Sequence, residues 1–161
     1  MNYTILLWPH ANARYRTESA RLALAELEML LRRIAPDAKA AVGESAELPT
    51  LEIQCASPLS DADVAALRGL SLLYALFERR GDALIPLAGR EQAYLGEDLP
   101  GILKYKGKTN AAFTMLMLNL ARAESAFARE KRPLTVLDPM CGKGTTLYCA
   151  LEQGMNAVGI D

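Results

Sequence analysis

Histidine is nearly missing from this sequence: His10 is the sole example, and there are only three cysteines, Cys55, Cys141 and Cys149. With no CxxC pair, these residues exclude a disulfide framework and a zinc site of the usual spacing, and no metal is expected. Cys141 as a covalent nucleophile would need an activating base, and His10 is far from it in sequence, so a small residue packed in a turn is the expected role. Long apolar runs are also missing. No stretch is apolar enough to span a bilayer, and the first seven residues lack the basic start and long apolar run of a secretory signal. A cytoplasmic protein with no membrane partner is the expectation. Charge of one sign is missing too. There are 18 Lys and Arg against 19 Asp and Glu, giving a formal net charge of −1 and a pI near 5.9. Any affinity for nucleic acid must therefore come from a local surface.

What is present is enough apolar material to bury a core: 51% of the 161 residues are hydrophobic and 23% charged. That suits one ordinary domain, or a small domain joined to part of another. Residues 3–8 read as a short buried strand. Thr17 can cap the helix that follows, on which Ala20, Ala23, Leu24, Leu27, Leu31 and Ile34 recur on one face until Pro36 ends it. Residues 50–55 read as a strand. Ser60 opens a second helix, with Asp63 as its capping-box partner and Gly69 as its stop. Residues 72–77 and 83–87 read as strands flanking a turn at Arg80-Gly81-Asp82. One more strand in the loose stretch 41–48 completes a ferredoxin-like α+β domain over residues 1–88. Residues 89–108 hold four glycines and a proline with little periodicity, and read as a linker. A helix over 110–128 follows, with Phe113, Leu116, Met117, Leu120, Ala123 and Phe127 on one face as core.

The chemistry sits in the last segment. An apolar β-branched run, Leu134-Thr135-Val136-Leu137, leads into Asp138-Pro139-Met140-Cys141-Gly142-Lys143-Gly144-Thr145, then a helical stretch to Gly154. A second apolar run over 157–160 closes with Asp161. This is a βαβ unit, the expected start of a Rossmann-like fold over 109–161, with a glycine turn after its first strand and an acid after its second. A parallel crossover places the turn and Asp161 at one edge of the sheet. Glycines let a backbone approach a ligand closely, a helix N-terminus offers free N–H groups, and an acid can accept hydrogen bonds from ribose hydroxyls. Asp161 lies 19 residues after Gly142, near the spacing expected of a ribose-binding acid.

Three cofactor classes compete for such an edge. A phosphate-binding P-loop requires G-x-x-x-x-G-K-[ST], but Gly144 stands at the Ser/Thr position and Leu137 at the first glycine. A dinucleotide fold requires G-x-G-x-x-G, but Leu147 stands at the third glycine. A methyltransferase site needs the close turn and an acid ahead of it, without a phosphate cradle. Asp138 suits the amino-acid end of S-adenosylmethionine.

The run Asp138-Pro139-Met140-Cys141-Gly142-Lys143-Gly144-Thr145 resembles the DPxCGxGT signature of RNA methyltransferases related to the THUMP-containing guanosine N2-methyltransferases. Lys104-Tyr105-Lys106-Gly107-Lys108-Thr109-Asn110, followed by an apolar helix, is similar to the segment ahead of the catalytic domain in that family, where it lies across the cofactor pocket. The resemblance covers roughly residues 103–161. Over 3–87 it rests on element order alone, and no THUMP module is recognisable. The resemblance implies S-adenosylmethionine held by Asp138, Pro139, Cys141, Gly142, Gly144, Thr145, Asp161, Thr109 and Asn110. Lys104, Lys106 and Lys108 would meet RNA phosphates, although a solvated surface is as good a reading of those lysines.

The implied reaction is transfer of a methyl group to an exocyclic amine of guanosine in tRNA or rRNA, on a base already unpaired or extruded. In the family, the target amine is held by a later (N/D)PP(Y/F) motif, which this sequence does not contain. Catalytic residues are thus expected C-terminal to Asp161, and the 161-residue chain alone is expected to be inactive. Its short sheet would be completed by self-association or by further sequence. DNA adenine methylation is a rival within the class. A non-catalytic RNA-binding or assembly fragment is the alternative outside it.

Overall fold

The structure, a computed structural model, describes residues 1–8, 13–90 and 109–161, with the backbone alone over 13–17. The fold is α/β, with four helices and two sheets among the described residues. The chain divides into two compact units, Met1–Glu91 and Gln92–Asp161. His10 and Lys104, Lys106 and Lys108 lie outside the described residues, as does nearly all of the stretch read as a linker.

In the first unit the elements run β1 (Asn2–Leu7), α1 (Ala13–Ile34), β2 (Lys39–Ser45), β3 (Leu48–Gln54), α2 (Asp61–Leu67), β4 (Leu73–Arg80) and β5 (Ala83–Gly89). The sheet order is β2-β3-β1-β4-β5, and every neighbouring pair is antiparallel. Alternation along the strands sends Tyr3, Ile5 and Leu7 of β1 and Leu51 and Ile53 of β3 into the core. Ala20, Ala23, Leu27 and Leu31 recur every three or four residues along α1 and meet them there. Each fully buried leucine or isoleucine contributes about 1.5–3 kcal/mol. One acid interrupts the apolar face of α1. Glu26 is buried, and its carboxylate accepts from the Ser71 amide (3.1 and 3.2 Å) and the Ser71 hydroxyl (2.6 Å), so the turn before β4 satisfies it.

The Ser60–Asp63 capping box forms: Asp63 N donates to Ser60 Oγ (3.2 Å) and Ser60 N to the Asp63 carboxylate (2.9 Å). Other boundaries move. α1 begins at Ala13, so Thr17 lies within it and does not cap it. α2 ends at Leu67, two residues before Gly69. β5 runs through Gly89, one residue into the expected linker. The loose stretch 41–48 holds parts of two strands, β2 and β3, joined by Ala46 (φ 49°) and Glu47 (φ 63°).

The described part of the second unit runs α3 (Ala111–Glu124), β6 (Thr135–Asp138), α4 (Thr145–Glu152) and β7 (Asn156–Gly159). β6 and β7 pair in parallel, from Thr135↔Asn156 to Asp138↔Gly159. α3 is shorter than expected, ending at Glu124, so Phe127 lies beyond it. Its buried residues are Thr114, Met115 and Leu116, while Phe113, Met117 and Phe127 are exposed. The face is set by α4. Cys149 Sγ donates to the Ala111 carbonyl (3.6 Å), and Gln153 Nε2 donates to Asn119 Oδ1 (2.8 Å) and contacts the Met115 sulfur. α3 is apolar nearly all round, so periodicity alone could not choose the side that the neighbour covers.

Candidate functional site

The parallel pairing of β6 with β7 brings Asp138 level with Gly159, so the segments that follow both strands leave the sheet at one edge. Backbone hydrogen bonds hold those segments together past the strand ends. Ile160 N donates to the Asp138 carbonyl (3.0 Å) and Cys141 N donates to the Ile160 carbonyl (3.0 Å). Asp161 therefore stands beside the glycine turn, exposed and two residues past Gly159. Asp138 is half-buried, and its Oδ1 accepts from Met140 N (3.1 Å), which fixes the start of the turn.

Gly144 N donates to the Cys141 carbonyl (2.7 Å), closing the turn. Gly142 (φ 47°) and Gly144 (φ 79°) occupy the left-handed region, where a side chain costs about 1–2 kcal/mol. A Cβ on Gly142 would meet nothing within 4 Å, so open space lies over the turn, as a closely approaching ligand requires. Gly144 is the N-cap of α4 and no side chain caps that helix, which leaves the first-turn N–H groups facing the same edge. Thr145, at the first helical position, is buried, and Pro139 is exposed.

The second pair of expected residues arrives on α3. The contacts Ala111 to Cys149 and Asn119 to Gln153 make α3 and α4 run in the same direction, so their N-termini share an end of the unit. Thr109 and Asn110 are both exposed there. Asn110 also has a local duty: its Oδ1 accepts from Phe113 N (3.1 Å) as the N-cap of α3.

Gly159 is a site residue that sequence reasoning missed. A Cβ there would sit 2.6 Å from Leu147 Cδ1 and 2.7 Å from Cys141 Sγ, so the turn and α4 close over β7 only because this position is bare. The available signal was a glycine inside an apolar strand. Cys141 is half-buried with its Sγ toward the Gly142 carbonyl, and Cys149 is fully buried. Burial pushes the Cys55 thiol up from its ordinary value, the N-terminal ammonium opposing and Asp63 reinforcing the shift. Among the described residues no group of three or more His, Cys, Asp or Glu could hold a metal ion, and no helix is long and apolar enough to cross a membrane.

A cleft of about 400 Å³ lies at the other end of β6, between the close of α3 and residues such as Arg132, Leu134 and Met155. It shares no residue with the glycine turn. No family model, curated protein or solved structure matches the chain.

Proposed function

We propose that the second unit is an S-adenosylmethionine-binding part of a methyltransferase whose substrate is an exocyclic amine of guanosine in tRNA or rRNA. The observation that carries this reading is the meeting of the glycine turn 138–145 and Asp161 at one edge of two adjacent parallel strands. The parallel pair joined by α4 supports a Rossmann-like beginning. In the first unit, the order β-α-β-β-α-β and the spatial order β2-β3-β1-β4 support a ferredoxin-like domain with β5 added at its edge. The sequence resemblance, and nothing in the geometry, supplies the RNA.

The residues present fit this cofactor. Open space over Gly142 admits a ligand against the backbone, and Asp161 is free to accept hydrogen bonds from two ribose hydroxyls. Asp138, whose backbone and one carboxylate oxygen are tied into the turn, is a preformed acceptor for an ammonium group. The uncapped first turn of α4 can receive a carboxylate. When bound, the cofactor supplies a methyl group on a sulfonium. The part played by this chain is orientation: it fixes the two ends of the ligand on rigid backbone before any acceptor arrives.

Calorimetric titration of the 161-residue chain with S-adenosylmethionine and S-adenosylhomocysteine tests the reading. Both should bind, and Asp161→Ala and Asp138→Ala should each weaken binding about tenfold or more, the worth of a hydrogen bond to a charged group. Bound ligand should also slow alkylation of Cys141, with Cys55 and Cys149 unreacted throughout because they are buried. No binding at millimolar ligand, or binding indifferent to both aspartates, overturns it.

A further inference from the structure

An aromatic cluster lies at one end of the five-stranded sheet of the first unit. β1 and β4 pair in register until Leu6↔Ala75, and the next pair is Leu7↔Leu73, so Tyr74 is an extra residue opposite no partner. Such a bulge re-aims a side chain. It brings the Tyr74 ring to Trp8 edge to face, with centroids 5.3 Å apart and planes at 63°. The Arg90 guanidinium lies over the Trp8 ring, 5.6 Å from its centroid. Backbone bonds pin all three residues. Trp8 N donates to the Leu72 carbonyl (2.8 Å) and Arg90 N to the Tyr74 carbonyl (3.2 Å). Arg68 Nε donates to the Gly89 carbonyl (3.3 Å), which sets a second guanidinium next to Arg90 in the chain path.

A pair of rings that merely sealed the end of a sheet would be buried by it. Here Trp8 is 43% exposed and Tyr74 47% exposed. Neither arginine is in a salt bridge among the described residues. Half-exposed aromatic rings fixed by backbone, one of them already under a guanidinium plane, suit one class of ligand above others: unpaired nucleobases on a phosphate chain. Bases stack on aromatic rings and guanidinium planes, and phosphates pair with the arginines.

We propose that Trp8, Tyr74, Arg90 and Arg68 form a stacking platform for unpaired bases of a single-stranded nucleic acid. In naming RNA as the biological strand the inference rests on the reading above; its chemistry belongs to the first unit alone. Trp8 is the sole tryptophan of the chain, so intrinsic emission reports on the platform directly.

The experiment titrates the full chain with ten-nucleotide oligouridine and oligoadenine RNA, oligothymidine DNA and a fully paired RNA duplex, following Trp8 emission. Single strands should quench it, and the duplex should do so far more weakly. Tyr74→Ala and Arg90→Gln should each weaken binding about tenfold, Tyr74→Phe should keep it, and Arg32→Gln on α1 should change nothing. Retention by Tyr74→Phe separates a lost stacking face from a misfolded sheet. RNA bound more tightly than DNA, or equally, supports base stacking. No quenching, equal response to the duplex, equal loss in Arg32→Gln, or a concentration-dependent Trp8 shift without nucleic acid, as a second copy on the patch would give, overturns it. Calorimetry with S-adenosylmethionine on the same preparation keeps the two readings apart. Cofactor binding without oligonucleotide binding sinks the platform alone, and the reverse sinks the cofactor site alone.

Discussion

At the residue scale, two glycines of the candidate site do different work, and substitution separates them. Gly159 is bare because Leu147 and Cys141 occupy the space of its Cβ. Gly159→Ala should destabilise the second unit by about 1–3 kcal/mol, the range for overpacking a fitted contact. Gly142 has room but a left-handed φ of 47°. Gly142→Ala should cost about 1–2 kcal/mol from the backbone alone, and it places a methyl group in the space where the ligand is proposed to lie. The expected result is that Gly159→Ala lowers the denaturation midpoint at least as much as Gly142→Ala. Gly142→Ala should lose more cofactor affinity for each unit of stability lost. Calorimetric affinity and denaturant midpoints, measured together, check this. Equal affinity loss at both positions would mean that the open space over Gly142 is not where the ligand binds.

At the element scale, the β2–β3 hairpin carries the clearest conflict between local preference and fold. Ser45 pairs with Leu48, so Ala46 and Glu47 form a two-residue loop with positive φ at both positions. That loop favours Asn-Gly, and Ala-Glu adopts it at a cost. The register is instead held by the pairing of β3 with central β1 and by burial of Leu51 and Ile53. Replacing Ala46-Glu47 by Asn-Gly should raise stability by about 1 kcal/mol, after the extra chain freedom of glycine is subtracted. A denaturant midpoint shifted upward without a change in slope would confirm it, and a downward shift would contradict the turn geometry. The same conflict explains why residues 41–48 look loose in the sequence. The usual turn residues are missing, although β2 and β3 are regular strands. The Ser60–Asp63 box, in contrast, is legible because its mechanism is local: two side chains and two backbone amides within four residues.

At the scale of the whole molecule, charge sets how nucleic acid can be held. A net charge of −1 gives no general attraction to a polyanion, so affinity must come from stacking and a few local cations. If Arg68 and Arg90 are the phosphate contacts, log K against log salt should fall with a slope of about −1.4, from two phosphates at about 0.7 each for a single strand. A slope of about −4 or steeper, measured from 50 to 300 mM salt, would place the contacts on a wider basic surface and remove these two arginines as the main cationic partners.

The sequence by itself determined what depends on neighbours in the chain. The apolar face of α1, the capping box of α2, and the strand–glycine turn–helix–strand–acid order of residues 134–161 follow from spacing and local hydrogen bonding. Tertiary structure alone decided which side of α3 is covered, because an all-round apolar helix acquires a face only from α4. It also decided that Gly159 must be bare, since its constraint comes from Leu147 and Cys141 on other segments. The bulge that turns Tyr74 toward Trp8 and Arg90 was decided there too. A one-residue offset between β1 and β4 leaves no mark in the pattern of either strand, yet it assembles three residues drawn from positions 8, 74 and 90.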